Sequence, residues 1–306
     1  MEVSCIVPVH NRANLVGECL RRLDLACREA MDGGVSGAEI LVVDDGSTDA
    51  STEVVEQVAR GCTVPVRLVR LSHRSGPAVA RNHGVRAAKG ELIIFVDSDV
   101  LVTRRFVQAH ATIHESAGPS VYVVGALRTV ADLAEVAREE RPGPWDVSTN
   151  PLDTANASVR LDHLLQVGLF DEAFNGYGWE DIDLGLRLQS LGLRKIKAPQ
   201  ALAYHVKPPV RSHQELQRLL ALERERARLA HVFLRKHPTL TGRWTVQASR
   251  AHLALNWLLR GFGLVHAGNV LRWAEWARRR RLGALCRLWL SGVLTQEYLR
   301  QLHHTP

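Results

Sequence analysis

Apolar residues follow two rhythms along this chain. In its first part, short runs rich in apolar residues recur at Val3–Val9, Glu39–Val43, Val66–Leu71 and Leu92–Val96, the last without a break. Such runs, rich in Val and Ile, are too short for helices and read as buried strands of a parallel sheet. Between them, apolar positions fall three and four apart. Leu15, Cys19, Leu20 and Leu23 form one face of a helix over Asn14–Ala30, and further helices are expected over Ala50–Arg60 and Ala78–Lys89. Ser47, Thr48 or Asp49 can cap the second helix, Gly76-Pro77 opens the third, and Gly90 closes it. Strand alternating with helix predicts an α/β fold built on parallel crossovers.

The same reading continues with a helix over Arg104–Ala117 and a strand over Val121–Leu127. Glu139–Asp146, with Pro142 and Pro144, reads as a mobile surface loop. A strand over Asn156–Arg160 and a short helix over Leu161–Val167 follow. A glycine-rich loop, Asn175–Asp181, runs into a helix from Glu180 to Leu191, with Leu184, Leu188 and Leu191 as its buried stripe. The last strand, Ile196–Tyr204, is interrupted at Pro199 and ends in His205.

Beyond this point the pattern becomes long helices, over His213–Lys236, Ala248–Leu259 and Val270–Val293. Charge changes at the same place. Residues 1–210 hold 22 Lys+Arg against 27 Asp+Glu, whereas residues 211–306 hold 17 against 5. That shift puts a boundary near Pro208-Pro209, between a domain at 1–208 and a basic helical extension at 209–306. Arg278–Arg281 with Trp273, Trp276 and Trp289 leaves two readings of the extension: peripheral contact with a membrane surface, or packing and homo-oligomerisation. The most apolar stretch, Leu253–Val265, is broken by Asn256 and Arg260 and is too short and polar to span a bilayer. No recognition motif accompanies the basic residues, so nucleic acid is not an expected partner. Five scattered cysteines exclude a zinc framework and point to a reducing compartment. With a first strand almost at Met1, the expectation is a cytoplasmic protein, peripheral at the inner membrane face if the extension binds lipid.

The candidate chemistry sits at strand ends. The run Leu92–Val96 stops in Asp97-Ser98-Asp99, and Glu39–Val43 stops in Asp44-Asp45. In open α/β sheets ligands bind outside the carboxyl ends of the strands. Paired carboxylates there suit a divalent cation and the phosphates of a nucleotide; a solvated turn is the plainer alternative. Glu180 and Asp181 stand in the first turn of their helix. The helix dipole either simply favours acids there or keeps Asp181 ionised and aimed at the cleft. A dinucleotide-binding enzyme would need G-x-G-x-x-G after the first strand, where this chain has Pro8-Val-His-Asn.

The motifs Ile6-Val-Pro-Val-His-Asn11, Val42-Val-Asp-Asp-Gly-Ser-Thr-Asp49, Gly76-Pro-Ala-Val-Ala-Arg-Asn82, Phe95-Val-Asp-Ser-Asp99 and Gly178-Trp-Glu-Asp-Ile-Asp-Leu184 occur in that order. Together they resemble the family-2 glycosyltransferases over about two thirds of the chain. The resemblance implies the GT-A fold, a Rossmann-like, mostly parallel sheet flanked by helices, here with an α-helical basic C-terminal extension. It implies an inverting transferase that uses Mn²⁺ or Mg²⁺ to move a sugar from a nucleotide-diphosphate sugar, typically UDP-linked, to a saccharide, lipid-linked or other hydroxyl acceptor. By the same resemblance Pro8, His10, Asp45, Arg81, Asp97 and Ser98 line the donor pocket, with Asp45 on the base. Tyr often stands in the family where this chain has His10. Asp99 and His205 are implied as metal ligands, Asp181 as general base with Glu180 beside it, and Trp179 as an acceptor-side ring; a packed Trp is the alternative. Asn269-Val-Leu-Arg-Trp273 lacks the Gln of the processive synthases' motif, so processive synthesis is not expected. The alternative to an enzyme is an inactive GT-A domain acting as a scaffold through its C-terminal helices.

Overall fold

The computed structural model describes residues 1–137, 143, 146–247, 249–280 and 282–304. Most of the Glu139–Asp146 loop expected from the sequence lies outside them. The chain divides into two compact units: residues 1–175 with 180–208, and residues 176–179 with 209–306.

The first unit begins with β1 (Glu2–Val9), α1 (Val16–Asp32), β2 (Gly37–Asp44), α2 (Ser51–Ala59), β3 (Val66–Arg70), α3 (Pro77–Ala87) and β4 (Leu92–Val96). It continues with β5 (Val100–Val102), α4 (Phe106–Ala117), β6 (Val121–Val130), β7 (Asn156–Arg160), α5 (Leu161–Gln166), α6 (Glu180–Ser190) and β8 (Arg194–Val206). The strands make one sheet in the order β3-β2-β1-β4-β7-β6-β8-β5. The pairs β1–β2, β1–β4, β2–β3 and β6–β8 are parallel, while β4–β7, β6–β7 and β5–β8 are antiparallel. Central strands covered on both faces explain the apolar runs: every residue of β4 is buried. Pro8 is tolerated in β1 because it lies beyond the last β4 partner, Ile6 opposite Phe95.

Two sequence expectations shift. Helix α3 ends at Ala87, so Gly90 does not cap it. Gly90 passes against β1 instead, where a Cβ would lie 2.6 Å from the Ser4 backbone nitrogen. The interruption at Pro199 is a bulge inside a single long strand: the register of β8 on β6 jumps from Gly125–Ala198 to Ala126–Leu202.

Asn156 repairs this bulge. Its Nδ2 donates to the carbonyls of Ala126 and Ala201, 2.8 Å each. Gly125 leaves it room, since a Cβ there would strike the Asn156 amide and lie 2.5 Å from the Ala201 carbonyl. The direction of that amide fixes a buried chain of protons. Asn156 Oδ1 must accept, so His110 donates through Nε2 (3.0 Å). His110 Nδ1 then accepts from the Ser158 hydroxyl, which in turn accepts from His114 Nε2, 2.9 Å each. Both imidazoles are therefore neutral. Burial pushes His110 down to about 4 and His114 down to about 3.

A histidine whose folded pKa lies below its unfolded value binds fewer protons when folded, so stability falls as pH drops through that interval. Chemical denaturation should therefore show stability that is full above about pH 6.5, the unfolded histidine value, and erodes by several kcal/mol towards pH 4. A flat profile across that window would show that the buried pair does not govern acid stability.

The second unit contains α7 (His213–Lys236), α8 (Leu240–Thr245), α9 (Arg250–Leu259), α10 (Val270–Arg279) and α11 (Gly283–His304). Ser212 and Glu215 cap α7 reciprocally. Leu216, Leu220, Val265, Val270 and Val293 form one core. The single helix expected over Val270–Val293 is two, α10 ending at Arg279 and α11 beginning at Gly283. Among the described residues no helix is long and apolar enough to cross a membrane.

Candidate active site

Asp97, Ser98 and Asp99 follow directly on the carboxyl end of β4. Asp99 directly precedes β5, whose Val100 pairs with His205 of β8. This register sets His205 Nε2 3.3 Å from Asp99 Oδ1. The turn after β1 supplies Arg12, whose guanidinium lies 3.4 Å from Asp99 Oδ2. Burial pushes the Asp99 carboxyl up, but His205, with Arg12 and Lys207, outweighs it and holds the group below its usual value. Ser98 is buried between the two acids.

Arg81, on α3, is the second centre. It is buried, donating from Nη2 to Asp97 Oδ1 (2.8 Å) and from Nη1 to Glu180 Oε1 (3.0 Å). One guanidinium thus ties the end of β4 to the first turn of α6. Asp181 follows Glu180 and accepts from the Ile182 amide at 2.7 Å. Burial, then the neighbouring charges of Glu180 and Asp153, push the Asp181 carboxyl well up. This departs from the expectation that the helix dipole keeps Asp181 an ordinary ionised acid. Desolvation and like charge outweigh the dipole, and they make Asp181 a stronger base.

The turn after β1 is tightly knit. His10 Nδ1 hydrogen-bonds the Asp45 carbonyl at 2.8 Å. Asn11, at φ 53, accepts from the Thr48 amide at 2.8 Å. Asp45 is buried, and its two oxygens accept from the amides of Ser75 (2.5 Å) and Gly76 (2.9 Å). Asp45 thus anchors the loop that opens α3, and each of its oxygens keeps a further acceptor site. Pro8 and His10 are half-buried at the end of β1.

Trp179 belongs to the second unit and is buried there. Its ring packs 5.3 Å from Phe233 and 6.2 Å from Tyr298, and its indole N–H donates to the Arg226 carbonyl at 2.7 Å. The packed alternative holds, and the ring offers no open face to a sugar. Its backbone is in the left-handed region, φ 79, immediately before α6.

With three carboxylates, Asp97, Asp99 and Glu180, paired to two guanidiniums between the end of β4 and the start of α6, sequence kinship decides the family. Residues 4–165 match Glycosyl transferase family 2. The chain belongs to this family of transferases. It is similar to validoxylamine A glucosyltransferase of Streptomyces hygroscopicus subsp. jinggangensis, 29% identical over 91% of this chain and 69% of that protein. A second such enzyme, from S. hygroscopicus subsp. limoneus, is 28% identical, and the chain spans 64% of its length. Among solved structures, the mannosyltransferase PcManGT from Pyrobaculum calidifontis, in complex with GDP-Man and Mn²⁺, aligns with a TM-score of 0.56. The alignment is 22% identical and covers 96% of this chain and 86% of that one. S. aureus TarS 1-349 in complex with UDP-GlcNAc aligns with a TM-score of 0.54 at 16% identity, over 99% and 91%. At these identities the structural likeness establishes the fold, a GT-A sheet.

The roles of several residues around this site escape sequence reasoning, even where, as for Asn82, the residue stands in a motif. Arg12 is visible only as part of a polar turn. Asn82 holds the turn after α5 by accepting from the Phe170 amide and donating to its carbonyl, 2.9 Å each way. Asp153 reaches the site by charge alone. None has a spacing signal, because each partner lies far along the chain.

The donor set suits a divalent cation. Asp99 and His205 offer one carboxylate and one imidazole, a pair acceptable to Mn²⁺ and, through oxygen, to Mg²⁺. Among the described residues no group of three His, Cys, Asp or Glu could hold a metal ion, so substrate oxygens or water would complete the shell.

Proposed function

We propose that this family 2 chain is an inverting, metal-dependent glycosyltransferase. It would move a sugar from a nucleotide-diphosphate sugar, UDP-linked in the first instance, to a hydroxyl of a saccharide, lipid-linked or other acceptor. The observation that carries this reading is the Asp97–Arg81–Glu180 bridge, which joins the acidic end of β4 to the turn bearing Asp181. A donor diphosphate beside Asp99 and an acceptor hydroxyl beside Asp181 would then occupy one site. The solved neighbours support the donor class, since one holds GDP-Man with Mn²⁺ and another UDP-GlcNAc. They differ in base; in this reading Asp45 keeps acceptor capacity for an imide N–H of the base.

Asp99 and His205 would hold the cation, which when bound offsets charge on the leaving diphosphate. Asp181 takes the proton of the acceptor hydroxyl as that oxygen attacks C1 from the face opposite the diphosphate. The C1–O bond to the phosphate breaks, its electrons leave with the nucleoside diphosphate, and the anomeric centre inverts through an oxocarbenium-like state. Arg81 acts by positioning, holding Asp97 and Glu180.

Release of nucleoside diphosphate from a panel of nucleotide sugars, with Mn²⁺ and with chelator, tests this reading. Metal-dependent release from one donor is expected. No release from any donor by folded protein would contradict it.

The raised pKa of Asp181 also sets a pH dependence. Below that pKa the carboxyl holds its own proton and cannot accept another, so kcat/KM falls with falling pH. The acid limb should lie well above the ordinary aspartate value of about 3.9. A pH profile that stays flat down to that value would contradict the assignment.

A further inference from the structure

Helix α9 is built inside out. Its inward positions are polar: Asn256 and Arg260, one turn apart, are each 6% exposed. A Cβ on Gly292 of α11 would lie 2.7 Å from Arg260 Cγ and 3.6 Å from Asn256 Oδ1, so this polar edge faces α11. Arg260 also donates to the Val265 carbonyl at 3.0 Å. The outward positions are apolar: Leu253, Leu255, Trp257, Leu258, Leu259, and in the next turn Phe262 (62%) and Leu264 (70%) are all exposed. Trp257 and Phe262 stack edge to face at 5.1 Å, which joins helix and turn into one surface. Helix α8 adds Leu240 and Trp244, 84% and 65% exposed. A helix in a water-soluble domain points its apolar stripe inward; this one does the reverse. Exposed apolar clusters of this kind mark interaction sites.

Charge identifies the partner. The region from 211 onward carries 17 basic against 5 acidic residues, and Arg243, Arg272, Arg279, Arg280 and Arg287 are exposed in the same unit. Two copies meeting through this unit would bring like charge together, and so would any basic partner. A negatively charged surface gains from every one of these residues. Ten residues of α9 give a rod of about 15 Å, too short to span a bilayer but suited to lie in its interface. Trp and Phe in such a face match the interfacial layer of lipid headgroups, and the unit's net positive charge favours an anionic one.

We propose that the outer face of α9 and the turn after it, residues 253–264, seats this protein on an anionic lipid bilayer. The inference is independent of the transfer chemistry proposed above.

Co-flotation of the full chain with vesicles tests it, comparing phosphatidylcholine alone with phosphatidylcholine containing phosphatidylglycerol. Binding is expected only to the anionic vesicles, with Trp emission quenched by brominated acyl chains. The double variant Leu255→Glu/Leu258→Glu should weaken binding by about tenfold or more. Phe262→Ser/Leu264→Ser, in the turn where no helix can be lost, should weaken it in the same direction. Absence of binding to anionic vesicles, or equal binding to both vesicle types, would overturn the proposal. So would wild-type affinity in both variants. Concentration-dependent self-association that both variants abolish, without vesicle binding, would assign the face to a second copy instead.

Discussion

Replacing Asp181 with Asn should lower kcat by about 10²–10⁴-fold while leaving donor affinity intact. The amide keeps the shape and can still accept from the Ile182 amide, the 2.7 Å contact that orients this side chain. What it loses is the ability to take a proton. Donor affinity should persist because the proposed donor groups, Asp97, Asp99 and His205, lie on other elements. The variant should also gain stability at neutral pH. A carboxyl whose folded pKa is raised binds more protons in the folded chain, so ionising it costs stability as pH rises through the interval between unfolded and folded values. Asp181 is such a group, pushed up by burial and by Glu180 and Asp153. The gain should disappear below about pH 4, where the carboxyl is protonated in both states. Turnover and thermal melting across pH check both parts together; full turnover in the variant would remove Asp181 from the chemistry.

Replacing Arg81 with Met should cost about 3–5 kcal/mol of stability, the usual penalty for stripping a buried charge of its partner. Two carboxylates lose their guanidinium at once. Glu180 is as deeply enclosed as Arg81, while Asp97 keeps some solvent. The largest part of the loss therefore falls on Glu180, whose pKa is already raised by burial against the opposing pull of Arg81. Adding Glu180→Gln to Arg81→Met should recover part of the loss, a coupling that a double-mutant cycle in denaturant reads directly. Arg81→Lys should recover less, since an ammonium lacks the planar fork that reaches both carboxylates. Additive losses in the cycle would show that the two side chains do not depend on each other.

The strands that carry the site were legible in the sequence because they are covered on both faces and end abruptly in acids. Asp97 and Asp99 could be picked out for that reason, Asp181 from its place in the first turn of an expected helix, and five ordered motifs supplied the fold. What joins them could not be read. Arg81 and Glu180 stand 99 positions apart, and no local pattern signals such a pair. The β8 bulge showed only as an ill-placed Pro199, while its repair by Asn156 and the neutral His110–Ser158–His114 chain depends on three elements meeting. Strand β5 has three residues, below what periodicity resolves. Asp45 and Trp179 carried motif positions, yet their side chains serve a loop and a helical core. The break between α10 and α11 is hidden because the Arg and Leu residues before Gly283 are all good helix formers. Periodicity predicted α9 as a helix but not that its polar edge would turn inward.

The central claim is a nucleotide-sugar cleft built on Asp99 and served by a divalent cation. Thermal melting of the purified chain against nucleoside diphosphates and their sugars, with and without Mn²⁺, tests it most directly. Stabilisation by one nucleoside diphosphate is expected only when metal is present, about 2.7 kcal/mol at a hundredfold excess over Kd, and should be lost in Asp99→Asn. Stabilisation that ignores both the metal and Asp99, or none with any nucleotide, would contradict it.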